Sequence, residues 1–452
     1  MNRKSFAAAL FSSAALAAVW IVGCGDDEVF RTADAGGFDS GGTVEAGPNP
    51  QTDGGDGSTG PGCGAPTGLP QRLLLSMNNS TTSELAAFNV ADKKVDGRLT
   101  YKGFIGVTSA QSSDPYLLEE ATDIVARLDA KRPWEIVSTW NVAGDDRKDG
   151  GPNAQPVAIV VPDCKSGYVL RYSSNKIAVI DTTKVADGGP PESYIDLGSL
   201  LQPADPDGSL EVTNALHVPS KKRIYVLLGN IDFTKFTPAF DLLCSATKPS
   251  IVAIDTMTGK LVSLNGTAPG GGIALGGYNP PLGASLAYDA ARDRLLVLEG
   301  GCNADIAGTA GPMQQRRIEE VDLATGSVKA LLSLDNKDFP TGLVYVDGNR
   351  ALVTFAGPSF GSLGSAYFWD PSQTALGAMI PGGLDYSAYD GKGNLVGLRV
   401  TKVDGGAGPL QVVSVPFTDA GTVDAAAATK LGENPFLMNA GNLGGVEMWP
   451  RP

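Results

Sequence analysis

Ser285-Leu286-Ala287-Tyr288, a polar turn from Asp289 to Asp293, and Arg294-Leu295-Leu296-Val297-Leu298-Glu299 open the stretch that decides the fold. A loop bearing Gly300, Gly301 and Cys302 follows. Arg317-Ile318-Glu319-Glu320-Val321-Asp322-Leu323-Ala324-Thr325-Gly326 and the run Ser327 to Leu334 then close the unit. Short apolar runs bounded by Asp, Asn, Gly and Thr read as strands and turns, so the unit is four short strands joined by three turns.

Variants of this unit recur outward in both directions. Its third strand, an apolar run ending in Asp or Asn, reappears at Lys176-Ile177-Ala178-Val179-Ile180-Asp181 and at Ile251-Val252-Ala253-Ile254-Asp255-Thr256-Met257-Thr258-Gly259. Looser copies lie at Leu85 to Asp92, Ile136 to Val142, Tyr367 to Pro371 and Val412 to Thr418, which makes seven. A second strand precedes each, starting at Arg72, Asp123, Tyr168, Arg223, Arg294, Arg350 and Asn394. A further inner strand leads six of them: Tyr116 to Glu120, Val157 to Val161, Ala215 to Val218, Leu286 to Tyr288, Leu343 to Val346 and Ser387 to Tyr389. The first repeat lacks one, and a strand-like segment is left over at Pro435 to Trp449. A ring in which the C-terminus supplies that missing inner strand removes open sheet edges.

The Ile-Ala-Val-Ile-Asp-Thr and Ile-Val-Ala-Ile-Asp-Thr-x-Thr-Gly hairpins, with Arg-Ile-Tyr-Val and Arg-Leu-Leu-Val before them, resemble the lactonase-like, YVTN-type seven-bladed β-propellers. The resemblance covers most of residues 69–449 and implies an all-β propeller of seven four-stranded blades. It says little about activity, because those residues build hairpins rather than a site. The second repeat has two readings. Asp114-Pro115 followed by Leu117, Ala121, Ile124, Val125 and Leu128 also fits a capped helix, which would distort that blade or reduce the count to six.

The 452 residues include 58 Gly and 30 Pro, and the net charge is −14. Many turns and short strands suit that composition, and the charge argues against a nucleic-acid partner, whose phosphates require clustered Lys and Arg. Residues 1–23 read as an export signal: Arg3 and Lys4, an apolar stretch from Phe6 to Val22, then Ile21-Val22-Gly23-Cys24, which is similar to a bacterial lipobox. Cys24 is the expected lipidation site, and its acyl chains the expected membrane anchor. A plain secretory signal is the alternative. Gly25 rather than Asp after Cys24 suggests, by analogy, sorting to the outer membrane. Residues 24–62, rich in Gly, Asp, Ser, Thr and Pro, read as a tether about 35 Å in root-mean-square reach, and residues 63–452 as the propeller domain.

Export places the remaining Cys63, Cys164, Cys244 and Cys302 in an oxidising compartment, where two disulfides are expected. There is no Cys-x-x-Cys and only one His, which disfavours zinc. In the propeller register implied by the resemblance, Cys244 and Cys302 fall in the long loops between second and third strands of adjacent blades four and five. They are the expected pair, leaving Cys63–Cys164 on the opposite face. His217 sits six residues before Arg223, as Tyr288 sits before Arg294, so it reads as inter-blade packing more readily than as a catalytic group.

The loops on the channel-mouth face carry Asp114, Asp205, Asp207, Glu211, Asn214, Asp335, Asp338, Asp385 and Asn434. Oxygens of Asp205, Asp207 and Glu211 suit calcium, although the same Asp-Pro-Asp-Gly run also builds an ordinary turn. Phe233, Phe236 and Phe240 mark either a small core or an apolar lip for a ligand or protein. Gly270-Gly271-Gly272 and Gly276-Gly277 read as loop, lacking the strand-to-helix setting of a phosphate cradle. The expected function is a membrane-anchored envelope scaffold that binds a protein or small ligand and is not an enzyme. The alternative is a lactonase-like hydrolase with an acidic, calcium-dependent site at the channel mouth.

Overall fold

The computed structural model describes residues 68–78, 82–102, 105–109, 114–144, 154–203, 207–234, 242–244, 247–264, 271–303, 313–356, 364–380, 384, 386–403, 406–418, 424, 427–437 and 442–450. The leader, Cys24, the tether and Cys63 lie outside them. Seven four-stranded antiparallel sheets account for nearly all of the chain described. Blade four has Val212–Val218 innermost, then Arg223–Leu228, Ser250–Asp255 and Lys260–Val262, with the short Ile273–Ala274 added beside Ser250–Asp255. Blade five runs Leu286–Asp289, Arg294–Glu299, Arg317–Asp322 and Val328–Ser333. The inner strands touch their neighbours all the way round, from Asn442–Trp449 through Ile105–Ser109 and Pro156–Val160 to Tyr386–Tyr389 and back. The architecture is a seven-bladed β-propeller.

Packing between blades explains why the strands read as continuous apolar runs rather than alternating ones. In Arg294–Glu299, Leu295 and Val297 pack with Tyr225 and Leu227 of blade four. Leu296 and Leu298 point the other way and pack with Val353 and Phe355 of blade six. The Asp that ends the third strand in blades four and five has a separate task. Asp255 Oδ1 accepts the backbone N–H groups of Met257 and Thr258 at 3.0 and 2.9 Å. Asp322 Oδ1 accepts those of Ala324 and Thr325 at 2.9 and 2.8 Å. Gly259 and Gly326 follow at φ 64° and 72°, the left-handed conformation that glycine adopts without strain. The Asp-x-x-Thr-Gly signature is therefore an Asx turn closing a hairpin.

The C-terminal strand completes blade one. Asn442–Trp449 pairs antiparallel with Arg72–Asn78, bringing Met448 opposite Leu73 and Trp449 opposite Arg72. The inner strand of the first repeat thus comes from the segment left over at the other end of the sequence.

Blade two departs from the sequence reading. Its strands are Ile105–Ser109, Pro115–Glu119, Ile124–Leu128 and Ile136–Asn141. The segment from Tyr116 is thus second in the blade rather than innermost, and each later strand shifts outward by one place. The helix alternative fails for two reasons. Asp123 takes φ 60°, which turns the chain sharply between two strands. Tyr116 and Leu118 also face blade three, while Leu117 faces blade one, a period of two. The shift moves Asp114 into the loop between first and second strands, on the face opposite the one expected. There it lies 3.9 Å from Arg127.

Candidate functional site

The loops between second and third strands of blades four and five meet on one face. Cys244 and Cys302 form a disulfide, as the repeat register implies. Backbone bonds reinforce it: Cys244 N–H donates to Asn303 O at 3.0 Å, and Asn303 N–H donates to Leu242 O at 2.7 Å. Cys302–Asn303 also pairs with Met313–Gln314, so the blade-five loop carries its own short ribbon. Cys164 is disulfide-bonded too. It lies on the opposite face, between the first and second strands of blade three, and its expected partner Cys63 falls outside the described residues.

A buried charged cluster lies directly beneath the staple, at the joint between the two blades. Glu299 ends the second strand of blade five; Arg317 and Glu319 open the third. Period-two alternation turns all three toward blade four, in line with Leu295, Val297 and Val321. Arg317 Nε lies 2.7 Å from Glu319 Oε1 and 3.3 Å from Glu299 Oε2. The Glu299 side chain is fully enclosed, and its Oε1 has no hydrogen-bond partner. Glu319 has both oxygens engaged, since its Oε2 accepts the Gly276 N–H at 2.9 Å, whereas the strap's Gly277 N–H and Arg317 leave Glu299 Oε1 unserved. Burial, with Glu319 as the next cause, pushes the Glu299 carboxyl well above the usual carboxylate range.

Blade four contributes Lys248. Its backbone is held by Gln202 and Asn230, both donating to its carbonyl at 2.7 Å. Its Nζ sits 3.4 Å from the centre of the Tyr278 ring and donates to Gly276 O at 2.9 Å. Burial, then the Arg317 charge, lower its pKa to about 8. Gly276 and Gly277, in the crossing from blade four to blade five, run against this cluster. A Cβ on Gly277 would stand 1.8 Å from Glu299 Oε2, and one on Gly276 would stand 2.3 Å from an Arg317 nitrogen. The Gly-Gly step read as plain loop is a place where backbone must lie flat on buried charges. The sequence reading missed Lys248, Tyr278, Glu299, Arg317 and Glu319. The available signal was charge at strand positions whose same-face neighbours are apolar.

Of the acids expected for calcium, Asp207 and Glu211 are described. Asp207 Oδ2 accepts the Phe233 N–H at 2.9 Å, and Glu211 Oε2 accepts the Ile231 N–H at 2.7 Å. The two carboxylates therefore anchor the start of the blade-four loop. Asp205 lies outside the described residues, among which no group of three potential metal ligands occurs. Phe233 packs edge-on against Tyr172, 6.4 Å between ring centres. Phe236 and Phe240 lie outside the described residues. Other polar side chains of this face also serve loop structure: Asp335 accepts the Arg316 N–H at 2.8 Å, and Asn434 accepts that of Phe436 at 3.0 Å. Asn214 donates to Gly283 O at 2.6 Å. His217 sits opposite Ile224 on the inner strand of blade four, and burial lowers its pKa.

No family model and no curated protein sequence matches this chain. Solved structures do. A 6-phosphogluconolactonase-like protein from Bacteroides fragilis superposes with a TM-score of 0.50 at 12% identity, over 87% of this chain and 99% of that one. The β-propeller domain of Cps50 (Swd1) from Myceliophteria thermophila gives 0.47 at 11% identity, over 72% and 90%. At such identities the likeness concerns the fold alone.

Proposed function

We propose that this chain is an exported, lipid-anchored propeller that binds a protein or small ligand of the cell envelope through the loops of blades four and five. The observation that carries this reading is the Cys244–Cys302 disulfide, which ties two neighbouring loops on one face. Loops fixed to a rigid scaffold hold a surface in one shape and lower the entropy lost on binding. The anchor rests on Cys24 after an apolar leader and before a Gly/Asp-rich tether, and outer-membrane sorting on Gly25. Cys24→Ala should move the protein from the membrane fraction to the soluble one; unchanged membrane fractionation contradicts the anchor. For binding, proteoliposomes carrying the full chain should retain specific envelope components. The paired substitution Cys244→Ser with Cys302→Ser should lose them while the protein stays folded.

A lactonase-like hydrolase is the second reading. It is favoured by Lys248 and Glu299 meeting at the joint between blades, two groups whose proton affinities are displaced in the way acid–base sites require. Turnover of lactones that disappears in Lys248→Met would support it. Loss of bound calcium with a lower melting temperature on EDTA treatment would favour a metal site that includes Asp205, Asp207 and Glu211. The scaffold reading predicts neither result.

A further inference from the structure

We propose that Glu299 and Glu319 form a proton-operated latch on the stapled loops. With Glu299 protonated, the Gly276–Gly277 strap stays seated; loss of that proton unseats the strap and loosens both loops.

The latch follows from how unequally the two carboxyls are served. One guanidinium faces both. Glu319 takes its shorter contact and the strap's Gly276 N–H as well. Glu299 has the longer 3.3 Å guanidinium contact and the Gly277 N–H, but it is fully enclosed and its Oε1 has no partner. A second full negative charge at that position would leave Oε1 without the hydrogen bond or water that an ionised carboxylate requires. The other charged and titratable groups facing it are Arg317 of blade five, Lys248 of blade four and Tyr278 of the strap. Arg316 is turned away, toward the carbonyls of Gly300 and Lys337.

The same geometry connects the proton to the loops. Glu299 is the last residue of its strand, three positions before Cys302. Lys248 lies just beyond the Cys244 loop and donates to the strap carbonyl. Gly300 and Gly301 donate to Asn279 O and Tyr278 O, both at 2.9 Å, so strap and stapled loop already share backbone bonds. The strap covers Glu299 with no room for a side chain at Gly277. Displacing it is the direct way to bring water to the ionised carboxylate, and that displacement breaks the Gly300 and Gly301 bonds.

The physiological use of the latch rests on these loops being the binding surface. Its test does not, because it reads the loops themselves. Hydrogen exchange of the full-length protein is measured from pH 5 to 9, with labelling times scaled to intrinsic exchange rates. Peptides covering 276–283 and 300–303 should lose protection at least tenfold as pH rises, while the core strand Arg223–Leu228 stays unchanged. Glu299→Gln should hold protection flat across the range. Glu319→Gln should move the transition to lower pH, because it removes the neighbouring charge and frees Arg317 for Glu299. It decides the matter if Glu299→Gln does not fold. A flat profile in the wild type, or an unshifted transition in the variants, overturns the latch. Lost ligand binding with the latch transition intact would count against the binding surface alone.

Discussion

Trp449 stands opposite Arg72 in the seam of the ring, so the last strand is the inner strand of the first blade. Its indole packs among Leu74, Leu85, Leu117 and Leu128 from two blades, and its Nε1 donates to Ala130 O at 3.1 Å. Closing the ring in this way makes the two ends of the domain depend on one another. Trp449→Ala should therefore destabilise the whole propeller, by about 3–5 kcal/mol for a buried indole. Denaturant unfolding followed by two probes should show one cooperative transition at lower midpoint. Loss confined to blade one would contradict the closure.

The fit of Gly277 against Glu299 makes a second prediction. Gly277→Ala should cost about 1–3 kcal/mol through steric overlap with a side chain that has no space to retreat. Gly106→Ala, where a Cβ would meet nothing within 4 Å, should change stability by no more than about 0.5 kcal/mol. Equal effects at the two positions would show that the strap is not seated on the cluster.

Glu299 also sets a pH dependence whose sign is fixed. Its carboxyl pKa is raised in the folded protein, so the native state keeps a proton that the unfolded chain releases within the ordinary carboxylate range. This contribution is fully present below the unfolded pKa and is lost as pH rises toward the folded one. Glu299→Gln should therefore gain on wild type by about 1.4 kcal/mol per pH unit across that window, then run parallel. Melting temperatures of both proteins from pH 4 to 9 provide the comparison; a variant that loses ground as pH rises contradicts the assignment.

The Cys244–Cys302 bridge closes a segment with a sequence separation of 58. The chain-entropy relation gives about 4 kcal/mol for a loop of that size. Cys244→Ser with Cys302→Ser should lose an amount of that order in denaturant unfolding, with the blade strands retained in circular dichroism.

What the sequence made legible follows from what is local. Asp255, Asp322 and the glycines after them close hairpins within a few residues, so a repeat of turns could be counted directly. Blade two was misread because Leu117, Ile124, Val125 and Leu128 are spaced like a helix face, and nothing in the sequence announced the left-handed turn at Asp123. Ile105–Ser109 is short and follows closely on the outer strand of blade one, so it did not register as an inner strand. The charged cluster was illegible for a different reason. Lys248, Gly276, Glu299 and Arg317 come together only when blades four and five are laid side by side. Even so, Glu299 and Glu319 stand where Leu295, Val297 and Val321 prescribe an apolar residue, and that break in pattern marks the joint.

The claim that the stapled loop face is the binding surface is tested most directly by site-specific photo-cross-linking in intact cells. A photoreactive residue at Gln314, exposed on the blade-five loop, is compared with one at Met257, exposed in a hairpin turn of the opposite face. A discrete adduct from Gln314 and none from Met257 is the predicted result. An adduct from Met257 with none from Gln314 would place the partner on the other face and contradict the account.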